Sequence, residues 1–319
     1  MIIQTGQRTD IPAFYSQWLL NRLKEGFVMV RNPFYPESVS RYELNPKIID
    51  LITFCTKNPL PVLQNEELWQ ELSAYNQWWY VTLTSYGKEI EPNVPGKAEV
   101  ADAIVELGKR LGAEKVGWRY DPVFISEKYT IPYHLKAFEN IARRLCGATK
   151  TAVISFIDLF PKVRRNFPEA REVTKEERLI LGKAFVEIAA KYGMTLRPCA
   201  EGTDLEQFGA DCSGCQTVAV LENALGKKLK IPKKNSARKE CACFLNGDIG
   251  AYNSCGHLCR YCYANASAEL VRENMKAHNP ASPLLIGELQ ETDKVFNTPQ
   301  KSWIVKRTCH ANTSDVESY

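Results

Sequence analysis

Several features that would place this chain in a familiar class are missing from its sequence. No apolar run reaches the length of a membrane span, and the net charge is only +4 over 319 residues. The opening MIIQTGQRTDIPAFY lacks the charged-then-apolar layout of a secretory signal, and no internal repeat or low-complexity tract occurs. We therefore expect a cytoplasmic protein that contacts no membrane. Its bulk charge gives no reason to expect nucleic acid as a partner.

Eleven cysteines stand out in a composition that is otherwise ordinary for a globular protein. Their odd number and the length of the chain argue against a disulfide scaffold. Cys55 and Cys146 have apolar neighbours and are expected to be small core residues, while Cys309 lies in a polar tail. The other eight fall between Cys199 and Cys262. Such clustering in a reduced protein indicates metal sites.

Strand-like and helix-like segments alternate over the first two hundred residues. Short β-branched and aromatic runs are separated by stretches with helical apolar spacing, each pair having the length of a βα unit. Seven such units in a row favour a (β/α) barrel of the TIM type, complete or partial, over a doubly wound open sheet. The predicted strands are 2–5, 27–30, 51–54, 78–83, 116–118, 152–156 and 194–196.

The pattern changes after the last predicted strand. We expect a barrel over residues 1–198, a cysteine-rich region over 199–270 packed on the barrel mouth, and a loose polar arm over 271–319. The stretch 227–239 holds seven Lys or Arg residues. It is either a solvated loop or a site for an acidic group.

Polar residues come directly after most of the predicted strands. In a barrel these positions share the C-terminal face, where active sites are built. There they would supply both charges needed to bind a zwitterionic ligand, and we predict that they contact substrate or cofactor. The arginines and aspartates among them could instead pair with one another in a structural network. The candidates are Arg8, Asp10, Lys57, Arg119, Asp121 and Glu201.

The segment CGHLCRYCYAN, residues 255–265, places three cysteines in one compact turn. Cys255, Cys259 and Cys262 can supply three of the four thiolates that a four-iron cluster normally takes, which leaves one iron open to another ligand. S-adenosylmethionine can fill such a position through its amino and carboxylate groups. Two alternatives remain: a zinc site completed by His257 or another cysteine, and an all-cysteine cluster completed by Cys243.

The spacing Cys-x3-Cys-x2-Cys resembles the signature of the radical S-adenosylmethionine enzymes. Their pattern has an aromatic residue just before the last cysteine, and Tyr261 stands there. The resemblance implies that Tyr261 lies beside the adenine, with Tyr263 as a further cofactor contact. It also implies reductive cleavage of S-adenosylmethionine, a small-molecule substrate, and an electron donor such as flavodoxin or ferredoxin.

Most of residues 1–265 resembles a smaller group, the domain-of-unknown-function 1848 family, which is noted for a radical-SAM-like cysteine cluster near its C-terminus. The matching segments are RTDIPAFYSQWLLNRLKEG, TKNP, RYDP, CAEG and DIGAYNSCGHLCRYCYAN. In most radical S-adenosylmethionine enzymes the motif follows the first barrel strand, whereas here it follows the last. Because a barrel closes, a loop after the last strand can still lie beside the first, next to Arg8 and Asp10.

Five further cysteines compete for a second site. Four thiolates can hold an auxiliary iron–sulfur cluster or one zinc ion, and the sequence favours the cluster. His257 is interpreted as a turn residue of the motif. The alternative to the whole proposal is a zinc- or iron–sulfur-stabilised binding or electron-transfer protein without S-adenosylmethionine chemistry. The five cysteines are Cys199, Cys212, Cys215, Cys241 and Cys243.

Overall fold

The computed structural model describes residues 1–232, 241–244 and 247–305. Its strands are Ile2–Gln4 (β1), Phe27–Arg31 (β2), Ser38–Glu43 (β3), Leu51–Thr56 (β4), Gln77–Thr82 (β5), Val116–Val123 (β6), Thr151–Phe156 (β7), Thr195–Pro198 (β8) and Lys294–Asn297 (β9). Its helices are Ile11–Phe14 (α1), Ser16–Glu25 (α2), Leu60–Leu63 (α3), Glu66–Leu72 (α4), Lys97–Leu111 (α5), Ile131–Arg144 (α6), Pro161–Asn166 (α7), Lys175–Lys191 (α8), Val218–Leu225 (α9) and Ala268–Lys276 (α10).

Six parallel strands form the main sheet, in the order β1-β4-β5-β6-β7-β8. Their order in space is their order along the chain, with helices in the crossovers, so the sheet has no point at which the strand order reverses. The mixed α/β class is therefore confirmed. The closed barrel is not: in the part of the chain that the structure describes, β1 and β8 each have one neighbouring strand and do not pair with each other, so they form the two edges of the sheet.

The second predicted strand belongs to a different sheet. Residues 27–31 form β2, which pairs antiparallel with β3, and β3 pairs parallel with β9. Most of β2 is only half-buried, and its last residue, Arg31, forms an ion pair with Asp293 next to β9. Periodicity records a strand but not its partners, so the prediction of seven consecutive βα units was wrong by this one unit.

The two faces of the main sheet differ in character. One face is apolar and packs against the helices, as where Trp118 of β6 packs on Phe138 of α6. Side chains alternate between faces, and cross-strand partners share a face. Register therefore places Cys55, Tyr80, Arg119 and Arg197 together on the opposite face. Register also places residue 117 opposite Tyr80. Only glycine fits there, because a Cβ would lie 2.4 Å from the Tyr80 ring.

The cysteine-rich region pairs with both edges of the sheet. Along β1, the Gln4 N–H donates to the Gly247 carbonyl at 3.0 Å, and the Ile249 N–H donates to the Gln4 carbonyl at 3.0 Å. Along β8, the Asp211 N–H donates to the Leu196 carbonyl at 2.9 Å. The extension therefore connects the two edge strands, which is how a loop late in the sequence comes to lie beside the first strand.

The expected loose arm contacts the rest of the fold at several points, although most of its described residues are exposed. Trp303 is buried against Phe244, β9 adds to β3, and Leu284 and Leu285 lie in the interior. These apolar side chains provide the burial that an exposed arm would lack. Residues 306–319, with Cys309, lie outside the described residues. None of the described helices combines the length and apolar character needed to cross a bilayer.

Candidate metal centres

A buried carboxylate anchors the cysteine motif to the first strand. Asp10, in the loop after β1, accepts hydrogen bonds from the Ala13 N–H at 3.1 Å, the Thr56 hydroxyl at 2.6 Å and the Lys57 N–H at 2.7 Å. The His257 Nε2 donates to the same carboxylate at 2.9 Å. The motif therefore lies where the late-loop argument placed it. Asp10 and His257 position the loop and are not free to bind substrate.

Cys255, Cys259 and Cys262, the thiol trio, lie partly or fully buried in this anchored loop. Burial raises the pKa of Cys259 to about 12, although the Lys57 ammonium opposes this. The Ala264 N–H points at the Cys262 sulfur, 3.4 Å away. Such amide donors stabilise a metal-bound thiolate. Within the described residues, no three His, Cys, Asp or Glu side chains are arranged to hold a single metal ion.

A charged network that sequence reasoning missed lies beside the trio. Glu91 is 1% exposed and accepts hydrogen bonds from Lys57 Nζ at 2.9 Å, from Thr84 Oγ1 at 2.8 Å, and from Tyr261 and Lys97. Burial alone would raise the pKa of Glu91, but the two lysines outweigh it and hold the pKa at about 2. The only signal was its position several residues after the fourth predicted strand, 78–83.

Residues 90–93, next to Glu91, also hold the cysteine motif in place by hydrogen bonds to its main-chain atoms. Asn93 Nδ2 donates to the Gly256 carbonyl at 2.7 Å, and the Arg260 N–H donates to the Ile90 carbonyl at 3.0 Å. Lys57 Nζ lies 5.4 Å from the centre of the Tyr261 ring. A buried positive charge and an aromatic face therefore adjoin the trio, as a zwitterionic nucleoside ligand would require.

Four other cysteines form a second group, the thiol quartet: Cys199, Cys215, Cys241 and Cys243. The Cys215 sulfur lies 3.4 Å from that of Cys199 and 3.2 Å from that of Cys243, and the Cys241 thiol also hydrogen-bonds Cys243. Cys212 lies outside this group. The structure thus separates the five candidates into four and one, and it assigns Cys243 to the quartet and not to the trio.

The charged pairs at the strand ends differ from the expected ones. Arg119 pairs with Asp121, as the structural alternative had it, and its Nη1 also lies 3.5 Å from the Cys215 sulfur. Arg8 pairs with Asp248 and not with Asp10. The interaction of Asp248 with Arg8 holds the segment that leads into the motif. Of the predicted charged residues, Arg8 and Arg119 are thus committed to contacts within the protein.

Of the two cysteines predicted for the core, Cys55 is partly buried against it and Cys146 is not in it. Cys55 is half-buried at the end of β4, among the charges of Lys57, Arg119 and Asp121, and burial raises its pKa. Cys146 is exposed, in the turn that follows α6. Apolar sequence neighbours were a poor guide for Cys146, because the turn after the helix directs its side chain to solvent. The surroundings of Cys55 show that Lys57, Arg119 and Asp121 do converge.

Glu201 follows β8 and lies near the other acids of this face. Its carboxylate accepts hydrogen bonds from the Phe156 N–H at 2.8 Å and from Arg178 Nη1 at 2.8 Å. Burial raises its pKa to about 7 despite these contacts, and Asp158 and Asp121 add to the rise.

Tyr263 is 51% exposed, and its hydroxyl donates to the Gln7 carbonyl at 2.6 Å. The ring of Tyr263 is therefore accessible near the trio.

The raised pKa of Glu201 makes a prediction about stability. Between about pH 4.5 and pH 7 the folded state keeps a proton that the unfolded state releases, so this residue lowers stability as the pH rises. We expect Glu201→Gln to be more stable than the wild type by about 2 kcal/mol at pH 8 and similar to it at pH 4. Thermal unfolding at both pH values measures this. Glu187→Gln, at an exposed position of α8, is the control, and a wild-type-like pH profile for Glu201→Gln would refute the assignment.

The basic stretch 227–239 lies mostly outside the described residues, so neither of its two interpretations is resolved.

Comparison with known families gives a match: a model described as Domain of unknown function (DUF1848) covers residues 2–264. This range includes the whole main sheet, the quartet and the trio. No curated protein and no solved structure matches the chain.

Proposed function

The chain belongs to the DUF1848 family, and from this premise we propose that it is a radical S-adenosylmethionine enzyme. The observation that carries the proposal is the thiol trio, whose three cysteines lie on one anchored loop, while the two candidate fourth ligands, His257 and Cys243, are engaged elsewhere. A bound four-iron cluster would supply an electron and an open iron for reductive cleavage of S-adenosylmethionine. The resulting 5′-deoxyadenosyl radical would abstract hydrogen from a small-molecule substrate.

The surroundings of the trio support this proposal over a zinc site. A structural zinc site would need a fourth protein ligand, and the histidine of the motif, His257, already donates Nε2 to Asp10. Cys243, the other candidate, lies in the quartet. Three thiolates that each bind a different iron stand farther apart than three around one ion, and the sulfurs of the trio form no hydrogen bond with one another in the described chain. The donor set therefore fits a cluster.

The residues around the trio have distinct roles in this proposal. Asp10 and His257 hold the loop against β1, and Lys57 offers a cation to the carboxylate of S-adenosylmethionine. Tyr261, whose hydroxyl is fixed by Glu91, presents its ring to the adenine. Glu201 is kept as a proposed substrate contact and the exposed Tyr263 as a proposed cofactor contact, whereas Asp121 pairs with Arg119. We further propose that the six-stranded sheet is a partial (β/α) barrel, and that a cytoplasmic flavodoxin or ferredoxin supplies the electron.

The proposal is tested on wild-type protein purified without oxygen. Iron and sulfide are quantified first, and the protein is then reduced with dithionite and incubated with S-adenosylmethionine. We expect 5′-deoxyadenosine to form only when both reagents are present. The electron paramagnetic resonance spectrum of the reduced cluster should also change when S-adenosylmethionine is added, because the ligand binds iron. A reduced cluster whose spectrum and products ignore S-adenosylmethionine would indicate an electron-transfer protein instead.

A further inference from the structure

We infer that the thiol quartet, Cys199, Cys215, Cys241 and Cys243, binds one tetrahedral metal ion, zinc, and not a second iron–sulfur cluster. This inference does not depend on the chemistry of the trio. It replaces the auxiliary cluster that the sequence favours, because spacing along a chain does not determine how far apart the sulfurs lie in space.

The separations of the sulfurs carry the inference. Cys215 lies 3.4 Å from Cys199 and 3.2 Å from Cys243, sulfur to sulfur. Around a zinc ion with bonds of about 2.3 Å, tetrahedral geometry places sulfurs about 3.8 Å apart. As they stand, the sulfurs are closer together than this, and no three described side chains are arranged around a metal ion. A shift of roughly half an ångström would open the quartet for one zinc ion. A cube of irons would require much larger displacements, because each thiolate then binds a different iron atom at its own corner of the cube.

The second shell of the quartet suits a negatively charged tetrathiolate. Four thiolates around a divalent ion leave a net negative charge, and the buried guanidinium of Arg119 lies 3.5 Å from Cys215. The Gln216 N–H donates to the Cys243 sulfur at 3.2 Å. Such outer contacts orient metal ligands and adjust their basicity. Arg119, which the sequence suggested as a substrate contact, is therefore a positioning residue of this site.

The location of the quartet explains what the ion would do. Cys199 directly follows β8, while Cys241 and Cys243 precede Phe244, whose carbonyl accepts a hydrogen bond from Gln4 in β1 at 3.2 Å. The ion would thus tie the two edges of the main sheet together where no strand pairs them. A site with four protein ligands has no open position, so its role is structural.

Metal analysis of anaerobically purified protein tests the inference. We expect one zinc and four irons per chain in the wild type. Cys215→Ser should lose the zinc, Cys259→Ser should lose the iron and keep the zinc, and Cys212→Ser, the matched control, should keep both. Protein with about eight irons and no zinc would overturn the inference, as would loss of zinc from Cys212→Ser. If the trio does not bind a cluster, the protein will contain zinc and no iron, a result that is distinct from failure of the zinc inference.

Two further measurements do not depend on the folding of Cys215→Ser. Wild-type protein loaded with cobalt in place of zinc should show the strong thiolate-to-cobalt absorption and visible bands of a tetrahedral site; weak octahedral bands would contradict it. Arg119→Met should bind zinc but release it to a chelator about 10 to 100 times faster than the wild type, with Arg119→Lys in between. If the rate of zinc release is the same in both variants as in the wild type, Arg119 does not position the ligands of this site.

Discussion

Cys259→Ser is expected to abolish iron binding and 5′-deoxyadenosine formation while the protein stays folded. Cys259 is the most buried thiol of the trio, at 8% exposure, and it lies beside Lys57. Serine is close in volume, so packing is nearly preserved, but its hydroxyl is a poor iron ligand. Two remaining thiolates cannot hold a cube that already lacks one protein ligand. Iron content, visible absorption and product formation should all fall to background.

Cys146→Ser is the matched control for this variant. Cys146 is exposed in the turn after α6, remote from both thiol groups in the fold, so its iron content and activity should equal those of the wild type. Circular dichroism and zinc content should be the same in both variants if Cys259→Ser is folded. Retained 5′-deoxyadenosine formation in Cys259→Ser would end the assignment of the trio, whatever the fate of the quartet.

The strands of the main sheet could be predicted from sequence because each is a short apolar run with a helix between it and the next. Six of the seven predicted runs lie in that sheet. The exception, β2, is also a short apolar run, but it is followed after a short turn by β3 and not by a helix. The polar run SVSRYE gave no apolar signal for β3, since that strand is mostly half-buried. Pairing between strands is a tertiary property and does not show in one segment.

The sequence predicted which residue types form the candidate sites better than it predicted how those residues are arranged in space. The motif spacing pointed to the trio, and its predicted position beside Asp10 is confirmed, although the cysteine-rich extension and not a closed barrel brings it there. Which four of the other five cysteines converge required three-dimensional distances, since Cys212 and Cys215 have equally good spacing along the chain. Glu91 escaped notice because it lies several residues past its strand, in a segment without a motif. A buried carboxylate is recognised by its partners, and these come from four different parts of the chain.

Glu91→Gln is expected to destabilise the protein by about 3 kcal/mol. Glutamine keeps the shape of the side chain but removes the charge that compensates Lys57 and Lys97, which are 15% and 33% exposed. Its amide N–H₂ would also face one of the two ammonium groups, donor against donor. Urea unfolding of metal-loaded protein, compared at a common slope, measures the difference. Because the pKa of Glu91 is about 2, the difference should be constant above about pH 5 and shrink as the pH falls further.

Glu89→Gln, two residues away, separates the effect of burial from the loss of a carboxylate. Glu89 pairs with Lys128 at the surface, where both side chains are about half exposed, so its loss should cost less than about 1 kcal/mol. Adding Lys97→Met to Glu91→Gln removes one uncompensated cation and should restore part of the stability, which a double-mutant cycle quantifies. If Glu91→Gln and Glu89→Gln lower the free energy of unfolding equally, the network beside the trio contributes no more than an exposed surface ion pair. A recovery in the double variant would instead establish that buried charge balance holds the segment that clamps the motif.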